Sequence, residues 1–105
     1  MTAFLVDTIQ VHPDDLGSYV DLVHGVAVPV MTAAGATFVS CLATSPALGE
    51  DVDLQVTWSF RDHVEWNEIR KNLVLDRAWH DLARRAAALR TGGTRRFFYP
   101  TEAKG

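Results

Sequence analysis

Three polar residues lie on or beside predicted apolar faces, and their types are those of proton-transfer chemistry. Asp7 lies in FLVDTIQV (Phe4–Val11), flanked by Leu5 and Ile9 at the strand spacing, where an unpaired carboxylate is costly and where the functional reading is a base with a raised pKa. His24 falls at the edge of a helical apolar stripe beside Val20 and Met31; an imidazole titrating near about pH 6.5 suits a general acid or base. Arg70 lies between Trp66 and Leu73 on a helical wheel, on the inward side, with His63 one turn earlier. A guanidinium there can hold a carboxylate or the oxyanion of an enolate. Brought together, Asp7, His24 and Arg70 would enolise a carbonyl compound. Each also has a purely structural reading: Asp7 paired with an Arg of a neighbouring strand or subunit, His24 hydrogen-bonded at a helix boundary, Arg70 ion-paired or extended past Trp66. Tyr19, His63, Trp66 and Gln55 are the further candidates for ligand contact, with Trp66 and Trp79 equally suited to filling the core.

Other chemistries lack their residues. The four histidines are scattered and no HxxxH or CxxC spacing occurs, so neither a metal nor another cofactor is expected. Cys41 is the single cysteine and lies in a strand-like run with Ser40, without the GxSxG turn of a nucleophile elbow. No glycine-rich phosphate loop is present.

The elements that must position these groups are read from periodicity. HPDDLGSYVDLVHGVAVPVMTAAG (His12–Gly35) places Leu16, Val20, Val23, Ala27, Val30, Met31 and Ala34 at three- and four-residue steps, the pattern of one long helix with a single apolar stripe. Pro13 suits its first turn, Asp14 and Asp15 favour the positive end of its dipole, and Gly35 suits the residue after its last turn. Pro29 is on the opposite face and predicts a bend. Phe4–Val11 is the strand before this helix. Ala36–Thr44 and Asp51–Phe60 are predicted as an antiparallel hairpin around the turn SPALGE. Asp62 with Glu65 opens a second helix carrying Trp66, Ile69 and Leu73, and Asp76 opens a third with Trp79, Leu82, Ala83, Ala86 and Leu89 inward. Gly92-Gly93 is expected to end it, Thr94–Tyr99 to be the last strand, and the terminal TEAKG to be a loose tail.

The order strand, helix, strand, strand, helix, strand, with the second helical segment split in two, is the ferredoxin-like βαββαβ arrangement: α+β, one four-stranded antiparallel sheet with helices on one face. At 105 residues, 48% hydrophobic and 22% charged, it is a single domain over residues 1–105 and small enough to gain from association. Neither face of the first strand is cleanly polar, so a second copy is expected to cover the bare side of the sheet and make a homodimeric barrel. Every Lys and Arg lies at Arg61 or later while the first half is acidic, and the net charge is −3. This favours attraction between the halves and argues against a nucleic-acid partner despite Arg84, Arg85, Arg90, Arg95 and Arg96. No apolar run is judged to reach the roughly 20 residues of a membrane span. With no basic-then-apolar leader, the expected compartment is cytoplasmic.

The strand running into Val11-His12-Pro13, His24-Gly25 followed by Pro29, Ala34-Gly35, Trp58-Ser59-Phe60 and Asp76-Arg77-Ala78-Trp79 resemble the NIPSNAP-like group of the dimeric α+β barrel superfamily along nearly the whole chain. The position where such proteins often carry Arg in the first strand holds Asp7 here. The resemblance implies the ferredoxin-like fold, a homodimer, and a small-molecule ligand held between sheet and helices. Three functions follow as expectations. The first is a metal-independent enzyme acting on a hydrophobic carbonyl or enol compound by proton transfer, as an isomerase, cyclase or lyase. The second is a cofactor-free or heme-using monooxygenase of the antibiotic-biosynthesis type, although the strand Asn and close Trp-to-His spacing of heme-degrading relatives are missing. The third is a non-catalytic binding or interaction module.

Overall fold

The computed structural model describes residues 2–45 and 48–101. Strand β1 (Ala3–Val11) runs into helix α1 (Pro13–Ala34), followed by β2 (Thr37–Ala43), β3 (Val52–Phe60), α2 (His63–Val74), α3 (Arg77–Leu89) and β4 (Arg90–Phe98). The strands form one antiparallel sheet in the order β2-β3-β1-β4. This is the ferredoxin-like arrangement. The molecule is only 18 Å thick in its shortest dimension, the depth of one sheet and one helix layer.

Strand period divides β1 and β3 cleanly. Ala3, Leu5, Ile9 and Val11, with Val52, Leu54, Val56, Trp58 and Phe60, are buried beneath the helices, as alternation requires when one face meets the core. Asp7 is the one polar residue of β1 on that side. The opposite face carries Phe4, Val6 and Thr8 of β1 and Gln55 of β3, with exposed Leu42 from β2 and Phe98 from β4. No element of this chain covers it among the described residues.

Helix α1 begins with a 3₁₀ turn over Pro13–Asp15 and continues through Leu16–Leu22. Over Val23–Ala27 it widens to a π-helical turn, in which the Val28 N–H reaches back five residues to Val23. Pro29 follows immediately. Its ring would collide with the carbonyl four residues earlier and it has no N–H to offer, so the wider turn accommodates it where a bend was predicted. Gly35 ends the helix at φ 118°, with its own N–H and that of Ala36 both bonded to the Met31 carbonyl; glycine takes this left-handed conformation without a steric penalty.

By length and mean hydropathy, 1.2 over its most apolar window, Pro13–Ala34 is long and apolar enough to cross a bilayer, which corrects the expectation that no run reaches that length. In the fold its apolar side is instead laid on the sheet: Tyr19, Leu22, Val23, Ala27, Val30, Met31 and Ala34 are buried there. The caps of α2 and α3 are as read from the sequence. Asp62 accepts from the Glu65 N–H, and Asp76 from the Ala78 N–H, each at 2.9 Å.

The last strand is where the sequence reading is corrected. Helix α3 stops at Leu89, and β4 starts at Arg90 and runs through Gly92-Gly93 instead of beginning at Thr94. A Cβ on Gly93 would approach the Thr8 carbonyl oxygen to 2.8 Å. The glycines thus serve close β1–β4 pairing, and do not terminate a helix. Part of the predicted turn, at residues 46 and 47, and residues 102–105 of the predicted tail lie outside the described residues.

Candidate functional site

A cavity of about 500 Å³ opens between sheet and helices, bounded by α1, α3 and the β1–β4 side of the sheet. Its apolar wall includes Leu22, Met31, Val56, Trp58, Trp79 and Leu82; its charged groups are Asp7, Arg90 and Arg95. The volume falls in the range that takes small molecules, and a mostly apolar lining with few polar groups is what such sites share.

Asp7 and Arg95 face each other in the β1–β4 register. The Arg95 Nε donates to Asp7 Oδ1 at 2.7 Å and its Nη2 to Oδ2 at 3.2 Å. This two-pronged geometry is the strong form of the carboxylate–guanidinium pair. The Asp7 side chain is 18% exposed and that of Arg95 44%, and both line the cavity. Tyr19, buried on α1, lines the same space. Burial pushes its hydroxyl above the ordinary 10.0; Arg90 pulls the other way, Asp7 adds to the rise, and Arg95 opposes it. A desolvated phenol near neutral pH is therefore a neutral hydrogen-bond donor.

Arg90 reaches the cavity through a defect in β4. Arg95 and Gly93 pair with Asp7 and Ile9, on the helix side, and strict alternation would place Thr91 there next. A register shift opposite Gln10 and Val11 leaves Thr91 as the extra residue and pairs Arg90 with Val11. A bulge of this kind switches which face later residues meet. The Thr91 hydroxyl lies 2.5 Å from Asp51 Oδ2 and 3.2 Å from the Gln10 carbonyl, which anchors the bulge.

Of the seven residues proposed from the sequence for catalysis or ligand contact, the structure brings Asp7 and Tyr19 to this cavity and leaves His24, Arg70, His63, Trp66 and Gln55 outside its lining. Arg70 is exposed on α2, one step off the buried stripe of Trp66, Ile69 and Leu73; the wheel position read as inward is the flank, and the long side chain extends to water. His24 is exposed, its ring 5.8 Å from Phe38 in an edge contact. His63 is exposed, with Nδ1 3.0 Å from the Tyr99 hydroxyl. Trp66 is core, with ring centroids 5.6 Å from Phe60 and 5.4 Å from Phe97. Gln55 is exposed on the opposite face of the sheet. The expected convergence of Asp7, His24 and Arg70 is thus replaced by Asp7, Arg95, Tyr19 and Arg90. Arg95 was findable, since aligning Phe97 with Leu5 in an antiparallel pair sets it opposite Asp7.

The backbone is similar to that of a NIPSNAP family protein from Agrobacterium tumefaciens, with a TM-score of 0.80 over 97% of this chain and 95% of the other, at 16% identity. A NIPSNAP domain protein from Burkholderia xenovorans gives 0.78 over 94% of both chains, at 15% identity. The chain has the NIPSNAP fold. The cofactor-independent oxygenase SnoaB of Streptomyces nogalater shares this architecture less closely, with a TM-score of 0.66 over 97% of this chain and 95% of that one, at 15% identity. No family model and no curated protein matches the sequence.

The raised Tyr19 pKa has a consequence for stability. The native state holds this proton more tightly than the unfolded chain, so the stabilisation is fully present below about pH 10 and is lost as pH rises through the folded value. Between about pH 9 and pH 11, wild type should lose stability relative to Tyr19→Phe in denaturant melts. Parallel pH curves for the two proteins would contradict the assignment.

Proposed function

We propose that this chain binds a hydrophobic carbonyl or enol compound in the cavity and transfers a proton on it without a metal, as an isomerase, cyclase or lyase does. The observation that carries the reading is the Asp7 carboxylate, oriented by Arg95, facing an apolar cavity together with the Tyr19 hydroxyl. An Asp7 oxygen removes a proton from the carbon next to the ligand carbonyl. The C–H electron pair becomes the enolate π bond, negative charge collects on oxygen, and Tyr19 donates a hydrogen bond to it. The protonated Asp7 then returns the proton to the same or another carbon. Arg95 is a positioning residue in this scheme.

Likeness to SnoaB, named as a cofactor-independent oxygenase, supports a second reading in which dioxygen takes electrons from the same enolate. Proton–deuterium exchange into 2-tetralone, followed by NMR in D₂O with dissolved oxygen recorded in parallel, tests both. Wild type should accelerate exchange; Asp7→Asn should lower the rate by about 100-fold or more and Tyr19→Phe by about 10- to 100-fold. Oxygen uptake alongside exchange would favour the oxygenase. Exchange at the buffer rate with wild type would overturn the proton-transfer reading.

We further propose that the functional unit is a homodimer in which two copies pack their bare sheet faces together. Phe4, Val6, Leu42 and Phe98 on that face are unfavourable in water, and a stable interface would bury about 1,200 to 2,000 Å². Sedimentation at micromolar concentration should give twice the chain mass, whereas a stable monomer would contradict this.

A further inference from the structure

We propose that the cavity selects a ligand with a single carboxylate at one end of an apolar, ring-bearing body, and that Arg90 receives the carboxylate. The inference rests on the reading of the cavity as a ligand site and adds the charge and shape of what enters it. The charged lining comprises Asp7, Arg90 and Arg95. Asp7 and Arg95 neutralise each other through their two-pronged contact, which leaves one positive charge. Among the described residues no carboxylate lies within salt-bridge distance of Arg90. Every Lys and Arg lies at Arg61 or later, so Arg90 belongs to the basic half of the chain, and its role is distinguished from general charge by comparison with an arginine outside the cavity.

The position of Arg90 is specifically built. Without the Thr91 bulge the β4 alternation would turn Arg90 to the opposite face of the sheet, and the contacts from Thr91 to Asp51 and Gln10 hold the bulge in place. A planar guanidinium with parallel N–H donors matches a carboxylate better than a lone ammonium would. Trp58 and Trp79 supply flat apolar surface to the remainder of the ligand, where ring stacking adds to burial. The neutral Tyr19 hydroxyl is a further donor within the same space.

The test compares 2-naphthoate with its neutral isostere 2-naphthamide by calorimetric titration at low ionic strength, on wild type, Arg90→Gln, Arg90→Lys and Arg85→Gln. Arg85 is exposed on α3, outside the cavity lining, and controls for general charge. Wild type and Arg85→Gln should bind the acid about tenfold more tightly than the amide or better. That ratio should fall to within about twofold in Arg90→Gln and be partly kept in Arg90→Lys, which also serves should the glutamine variant fail to fold. Equal binding of acid and amide by wild type overturns the carboxylate selection while leaving the cavity reading intact. A preference that survives in Arg90→Gln, or that is lost only in Arg85→Gln, overturns the role of Arg90. Binding of neither compound at millimolar concentration removes both the inference and the ligand-site reading beneath it.

Discussion

A carboxylate on the buried side of the central strand pair constrains everything around it. Asp7 sits in β1 between Leu5 at 0% and Ile9 at 7% exposure, where leaving it without a partner would cost about 1 kcal/mol or more in lost solvation. Arg95 meets the requirement from the adjacent edge strand, and the β1–β4 register follows from it: Phe97 opposite Leu5, Gly93 opposite Ile9. A cavity opens beside the pair. The helices enclose that space with apolar side chains, and the result is a cavity with its charge at one wall.

Two local irregularities shape this cavity. One is the π-helical turn of α1, which lets Pro29 stay in the helix and keeps Val23, Ala27 and Met31 on a single side. The other is the β4 bulge, which puts the exposed Arg90 on the helix side of the sheet, at the cavity. Both insert a residue into a regular repeat and change the face that later side chains meet. Such defects are common near functional sites because they aim a side chain in a direction that ideal geometry would forbid.

Much of the architecture was legible in the sequence because it rests on periodicity and on local chemistry. The α1 stripe, the β3 alternation and the Asp62 and Asp76 caps each have a short-range cause, and each is present. The site was less legible because it depends on register. Nothing local to Arg70 distinguishes the flank of the α2 stripe from its centre, and nothing local to Gln55 says which sheet face the helices cover. Gly92-Gly93 reads as a helix stop on propensity; only the close approach of β1, at 2.8 Å to a Cβ on Gly93, explains two glycines inside a strand. Asp7 was conspicuous as a charge among branched residues, while its partner lies 88 residues away and emerges only once the strands are aligned.

The central dependence is between Asp7 and Arg95, and a double-mutant cycle measures it directly. Unfolding free energies of wild type, Asp7→Asn, Arg95→Gln and the double variant give their coupling. Because Arg95 is partly solvated, the expected value is about 1 kcal/mol, with each single substitution costing more than its share of the double. Costs that add to within about 0.3 kcal/mol would mean that the two residues do not depend on each other, and would contradict a site organised around the pair.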